Sequence, residues 1–235
     1  MLKGNRRLDE HDTRLGFTDS AILIIGAHPD DNVLGAAGFA AKMARNRRVV
    51  LATATKGERG GDPAVREVED QNAAGIIGVE LRQWNLRDCK IHLPEAIEKI
   101  STTIQHLQPQ IVLVHAGEDS HQDHRILSEA ARSACRQTGV LMYYEGPTTI
   151  NFKPQLELDI SAYWDIKLSA LQAYVSEMSR GKFHFWAEDT ARGNGWPRHK
   201  GGYVEAFEVG HGDIDILGSL LFEPRIAYQE TLVNA

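Results

Sequence analysis

Runs of consecutive apolar residues recur along the chain: Ala21-Ile22-Leu23-Ile24-Ile25, Val49-Val50-Leu51-Ala52, Ile111-Val112-Leu113-Val114 and Val140-Leu141-Met142. Such runs have no polar face, so they read as strands buried on both sides, the habit of a parallel sheet. Between them the spacing turns helical. Val33, Leu34, Ala37, Ala40, Ala41 and Ala44 form a small-residue face up to Arg45. Val65, Val68, Asn72, Ala73 and Ile76 do the same over about Ala64–Ile77, with Gly78 as a stop. Leu81–Leu86 reads as a short strand. Pro94 opens a helix over about Glu95–Leu107, with Ala96, Ile97, Ile100, Ile104 and Leu107 on one face, and Pro109 closes it. A further amphipathic helix follows Arg125 and runs to about Cys135. Strand and helix alternate, which predicts right-handed βαβ units and an α/β fold, a doubly wound sheet with its ligand site at the carboxyl ends of the strands.

The second half is less regular. Val140–Tyr144 is a fifth strand, and Gln155–Ile160 alternates as a half-buried, edge-type strand. Ser161 is expected to cap a helix over about Ala162–Ser176. Residues 177–202 read as a long loop over the cleft, and Tyr203–Val209 as a final strand. The organisation predicted is an arm at 1–19, one domain at 20–210 and an extension at 211–235, without internal repeats.

A chain of 235 residues with a net charge of −6 lacks the basic face that nucleic acid requires, so nucleic acid is not the expected partner. No apolar run has the length of a membrane span, and the N-terminal residues lack the apolar segment of a signal peptide. A cytoplasmic protein acting away from membranes is expected. Cys89 and Cys135 are too isolated for a disulfide scaffold and read as small buried hydrophobes.

Two polar clusters stand where strands end and helices begin. Gly26-Ala27-His28-Pro29-Asp30-Asp31-Asn32 follows the first strand. Ala116-Gly117-Glu118-Asp119-Ser120-His121-Gln122-Asp123-His124-Arg125 follows the fourth, which ends in His115. Strand carboxyl ends share one edge of the sheet, so the two clusters can face each other. A catalytic zinc site needs three His or carboxylate ligands and an open position. His28, one of Asp30 and Asp31, and one of His121 and His124 supply that set. A carboxylate left over can take a proton from water, the remaining imidazole can serve an oxyanion or a leaving amine, and Asp123 can fix an imidazole tautomer. The chemistry predicted is metal-assisted hydrolysis of an amide or ester. The rival class is a nucleotide-binding module. The first turn carries no glycine fingerprint, and its paired carboxylates would repel a pyrophosphate.

Ala27-His28-Pro29-Asp30-Asp31 with His121-Gln122-Asp123-His124 resembles the two signatures of the LmbE-like, or PIG-L, zinc-dependent de-N-acetylases. The likeness extends to Arg66-Glu67, to Asp159-Ile160-Ser161 with Lys167, to Arg192-Gly193 and to Tyr203-Val204-Glu205-Ala206-Phe207, covering about residues 20–210. It implies a Rossmann-like, mostly parallel sheet with helices on both faces, and removal of acetyl from an N-acetylglucosamine-type sugar or its conjugate. It also implies His28, Asp31 and His124 as ligands of Zn2+, with Fe2+ as the alternative ion. Asp30 would be the general base, and His121, oriented by Asp123, would stabilise the oxyanion or protonate the amine. Arg66 would hold the sugar substrate. Homo-oligomers of three or six chains are common in such families. An amidase acting on a thiol-sugar conjugate or antibiotic intermediate, or a weakly active sugar-binding relative, is the alternative. Asn32 departs from the family's usual Glu, which removes a negative charge beside the expected ligands.

Overall fold

The computed structural model of the chain describes residues 20–178, 183–195 and 202–221. Five strands, β1 (Ile22–Gly26), β2 (Val49–Thr55), β3 (Glu80–Leu86), β4 (Ile111–His115) and β5 (Val140–Tyr144), lie parallel in the order β3-β2-β1-β4-β5. The sheet continues through β7 (Val204–Gly212), antiparallel to β5, to β6 (Leu156–Asp159) at the edge. The expected doubly wound, mostly parallel sheet is the observed one. Strand order reverses between β1 and β4, so their carboxyl ends open the crevice where such sheets bind ligands.

β1 shows why the strands are apolar throughout. Ile22 and Ile24 enter one core with helices α1 (Asp31–Met43), α2 (Pro63–Ile77) and α5 (Trp164–Gln172). Leu23 and Ile25 enter the other, with α3 (Leu93–Leu107) and α4 (Gln122–Ala134). A strand sandwiched between helix layers has no wet side to leave polar. Helix α1 crosses so close to β5 that a Cβ on Gly35 would lie 2.0 Å from the Tyr144 ring.

Several elements depart from expectation. Helix α1 begins at Asp31, two residues early, and α4 begins at Gln122, so both polar clusters run into first turns. Ser161 does not cap a long helix. A single 3₁₀ turn over Ser161–Tyr163 precedes α5, which stops at Gln172, and α6 (Val175–Met178) follows. The Ser161 hydroxyl instead accepts the Tyr203 N–H. The long loop expected at 177–202 contains helix α7 (Phe183–Gly195); residues 179–182 and 196–201 of that stretch lie outside the described residues. The last strand runs on to Gly212, and α8 (Ile214–Leu221) places Ile216 and Leu220 in the core. The arm at 1–19 and residues 222–235 lie outside the described residues. No helix among the described residues is long and apolar enough to cross a membrane.

Helix α2 is the largest surprise. The apolar stripe anticipated there is buried at Ala73 but otherwise faces solvent: Val65, Val68 and Ile76 are exposed. The buried face carries Arg66, Glu69 and Asp70 beside Ala73, Ala74 and Ile77. Each polar group meets the segment that ends α5 and begins α6. Arg66 pairs with Glu177, Glu69 accepts from the Ser176 N–H and hydroxyl, and Asp70 accepts from the Tyr174 hydroxyl at 2.8 Å. Burial raises the Asp70 carboxyl to about 6, more than its hydrogen bonds lower it. Between about pH 4 and 6 the folded chain therefore holds a proton the unfolded chain has lost, so Asp70 makes stability fall as pH rises through that window. Asp70→Asn keeps an acceptor for Tyr174 and cannot ionise. It should gain stability over the unmodified chain as pH rises from 4 to 7, by roughly 2–3 kcal/mol in urea unfolding; a difference that does not vary with pH would contradict this.

Candidate metal centre and active site

The turn after β1 sets the geometry. Asp30 has φ 101°, left-handed backbone that a non-glycine residue adopts at a cost. The two adjacent carboxylates meet different partners. Asp31 Oδ2 accepts the His28 N–H at 2.7 Å and lies 3.1 Å from His28 Nδ1. It is also 3.4 Å from the Nε2 atoms of both His115 and His124. Asp30 Oδ2 accepts from Arg66 Nη2 at 3.2 Å; the same nitrogen donates to the Pro29 carbonyl, and Nη1 faces Glu177 at 3.0 Å.

The second cluster closes from the other side of the crevice. Asp119 Oδ1 accepts the His121 N–H, and its Oδ2 lies 3.1 Å from His124 Nδ1. Ring centres of His28 and His121 are 4.7 Å apart, as are those of His121 and His124. All seven sequence-predicted residues, His28, Asp30, Asp31, Arg66, His121, Asp123 and His124, thus meet around one crevice. One expected contact differs. The Asp123 carboxylate does not orient His121. It accepts the Cys89 N–H at 2.7 Å and faces His28 Nε2 at 3.5 Å. The Asp123 N–H instead donates to His121 Nδ1, because His121 caps α4.

Among the described residues, three groups of side chains lie close enough to hold an ion: His28 with His121 and His124, Asp31 with His115 and His124, and His28 with Asp88 and Asp123. Hydrogen bonding separates them. His115 Nε2 accepts the Ala27 N–H at 3.0 Å, so its lone pair is engaged, and burial drops the ring to about 4, which keeps it neutral. His28 and His124 both have a buried Nε2 without a hydrogen bond. Each places Nδ1 on a carboxylate, the arrangement that orients imidazole ligands. The His124 Nε2 beside Asp31 fits a divalent cation, whereas the His28 Nε2 faces Asp88 and Asp123 and its Nδ1 faces Asp31.

The electrostatics agree with that fit. Burial works against the charged His28 ring, but Asp123, Asp31 and Asp88 outweigh it and hold it well above its usual value. Burial likewise opposes His124, and Asp31 and Asp119 lift it to about 9. Asp31 is held well below the carboxylate range, despite its burial, chiefly by the charge of His124. These carboxylates favour positive charge, and a cation binding here would displace protons. Asp30 is raised, by burial and by Asp31, against the pull of Arg66. His121 is lowered, by burial and by the neighbouring His28 and His124.

Sequence reasoning singled out neither Asp88 nor Glu177. Asp88 lies 3.2 Å from His28 Nε2 and accepts the Arg59 N–H. Its signal was available: a carboxylate just past the end of β3, on the edge that carries both clusters. Glu177 had no signal, since its stretch read as loop. Asn32 points away from the imidazoles, its amide lying 3.4 Å from the Ala52 carbonyl and 3.3 Å from the Thr53 hydroxyl.

Residues 23–135 match the sequence family described as PIG-L: GlcNAc-PI de-N-acetylase. An uncharacterised deacetylase, YaiS, from Escherichia coli K12 is 33% identical over an alignment of 167 positions that covers 66% of this chain and 90% of that protein. Among solved structures, the conserved protein TT1542 from Thermus thermophilus superposes with a TM-score of 0.74 at 26% identity, over 82% of this chain and 95% of that one. GalB, a 4-carboxy-2-hydroxymuconate hydratase from Pseudomonas putida KT2440, superposes with a TM-score of 0.72 at 20% identity, over 83% and 98%. The fold therefore hosts more than one chemistry, and the site must decide between them.

The Asp119–His124 contact is open to a direct check. In metal-free protein the His124 ring should titrate near 9 by NMR. Asp119→Asn removes one of the anions that lift it and should move that titration down by about a unit or more. An unshifted titration in the folded variant would mean Asp119 does not hold the ring.

Proposed function

We propose, given that this chain belongs to the PIG-L family of GlcNAc-PI de-N-acetylases and is a deacetylase, that it removes the acetyl group from an N-acetylglucosamine-type sugar or its conjugate in a zinc-dependent reaction. One observation carries the assignment of roles. Asp31 turns to the imidazoles of His28, His115 and His124 while its neighbour Asp30 turns to a guanidinium, so one carboxylate serves an ion and the other the substrate side.

His28, Asp31 and His124 would hold the ion. When bound, a divalent metal polarises an acyl oxygen and lowers the pKa of water from 15.7 to about 7. The protein's own groups supply the rest. Asp30, raised by burial and by Asp31, is a stronger base than a free carboxylate and takes the proton of the attacking water. Arg66, within 3.2 Å of Asp30, orients that carboxylate and offers guanidinium hydrogens to a sugar hydroxyl. His121 faces the cluster from the cap of α4. It would donate a hydrogen bond to the developing oxyanion, while the proton that Asp30 takes from the water passes on to the departing amine. Water adds to the amide carbon and the C–N bond breaks, so the products are acetate and the free amino sugar. The glucosaminyl substrate rests on the family's own description, and zinc on the His and carboxylate donor set.

Acetate release from N-acetylglucosamine, chito-oligosaccharides, glucosaminyl conjugates and an N-acetylated thiol conjugate, with zinc or Fe(II) added and with a chelator, tests this reading. Turnover on an acetamido sugar that a chelator abolishes and a metal restores is the expected result. Chelator-resistant turnover would remove the metal from the reaction. Asp30→Asn should keep the ion but lose activity by about 10²-fold or more. His124→Ala should lose the ion. Unchanged turnover in the first variant, or full occupancy in the second, would reassign those roles.

A further inference from the structure

Helix α1 is broken five residues after it starts. Ala36 has φ −148° and ψ 20°, outside the helical range, yet helix resumes at once. In an unbroken helix the Gly38 N–H would bond to the Leu34 carbonyl and the Phe39 N–H to the Gly35 carbonyl. At the break both donors meet a buried ion pair instead. Lys167 Nζ, from α5, donates to the Leu34 carbonyl at 2.7 Å and to Glu205 Oε1 at 2.6 Å. Glu205, from β7, accepts the Gly38 N–H on Oε1 at 2.9 Å and the Phe39 N–H on Oε2 at 2.6 Å. The helical bond is thus replaced by a relay: Leu34 carbonyl, Lys167 ammonium, Glu205 carboxylate, Gly38 N–H. Both side chains are 3% exposed.

A buried ion pair is weak evidence for stability, since an apolar pair of similar volume commonly serves as well. Here the charges do what an apolar pair cannot. They satisfy backbone groups on both sides of the break, which would otherwise be buried and unpaired. The helix is packed closely on both sides of the break: a Cβ on Gly38 would lie 2.5 Å from Ile160, and the Tyr144 ring crowds Gly35. The first turn, Asp31 to Gly35, is therefore a separate block. One end carries the Asp30–Asp31 turn, and the other is tethered to α5 and β7 through Leu34.

We propose that Lys167 and Glu205 are positioning residues for the metal site, aiming the first turn of α1 so that Asp31 meets the imidazoles of the β4–α4 loop. The inference rests on the reading of His28, Asp31 and His124 as ion ligands. The pair bonds to Leu34, Gly38 and Phe39 rather than to His28, Asp31 or His124, so its effect travels through those backbone groups.

Lys167→Met, Glu205→Leu and Glu205→Gln, with Arg48→Met in an exposed pair at the far end of the sheet as control, test the relay. Zinc affinity by competition with a chelator should fall at least tenfold in Lys167→Met and Glu205→Leu, as it does when groups that orient ligands are lost. It should be partly rescued in Glu205→Gln, whose amide oxygen still accepts one N–H, and stay unchanged in the control. Amide hydrogen exchange at Gly38 and Phe39, read on metal-free protein, should accelerate in the same order while the β1 and β4 amides stay protected. If a single variant fails to fold, Lys167→Met/Glu205→Leu removes both charges together and is measured instead; weakened zinc binding is expected there too. Native zinc affinity in folded Lys167→Met, or in the folded double variant, would overturn the proposal, as would unaltered exchange at Gly38 and Phe39. An unmodified chain that binds no divalent ion would refute the metal-site reading instead, while exchange would still report on the relay.

Discussion

The structure depends on gathering negative charge in a buried place without letting it fly apart. Asp31 is the centre of that problem. Its Oδ2 lies within 3.4 Å of nitrogens from His28, His115 and His124 and accepts the His28 N–H besides. A buried carboxylate is tolerable only when paired and hydrogen-bonded. Its partners come from two strand ends brought side by side where the sheet order reverses. Every nearby feature answers the same demand. His28 and His124 are held well above their ordinary value, and His115 is kept neutral to receive the Ala27 N–H. Arg66 crosses over to neutralise Asp30.

Much of this was legible in the sequence, and for a physical reason. A strand covered by helices on both faces must be apolar throughout. A run such as Ile22–Ile25 therefore announces both its type and its neighbours. Polar residues at the end of such a run stand out, which is how His28, Asp30, Asp31 and the 119–124 group could be placed on one edge. The failures share a cause as well. Apolar periodicity identifies a buried face only if that face is apolar, and α2 buries Arg66, Glu69 and Asp70 instead. The stripe of Val65, Val68 and Ile76 was real, but it pointed outward. Helix α7 was missed because Gly193, Gly195 and scattered charges break the period that would have revealed it.

The site was read less completely than the fold, because residue type at a loop position says little about direction. Asp123 was given the right neighbourhood and the wrong contact. Its carboxylate serves Cys89 and faces His28, while its amide serves His121. Glu177 could not be found at all, since its place beside Arg66 depends on where α5 ends and α6 begins. Asn32 shows the converse. The sequence made it conspicuous, yet its side chain turns toward β2 and away from the imidazoles.

These cases point to a division of labour along α1. Its first residues must present carboxylates to the crevice, and its later residues must press small side chains against the sheet and α5. A single straight helix would couple those two orientations, since successive side chains are fixed about 100° apart along it. The break at Ala36 uncouples them at the expense of regular helical bonding, and Lys167 and Glu205 supply replacements. On this view the buried pair is neither a stabilising ornament nor part of the reaction. It is what allows one element to satisfy the core and the metal site with different orientations. It also accounts for why both charges lie on the core side of α1, while the crevice opens at the other end of its first turn.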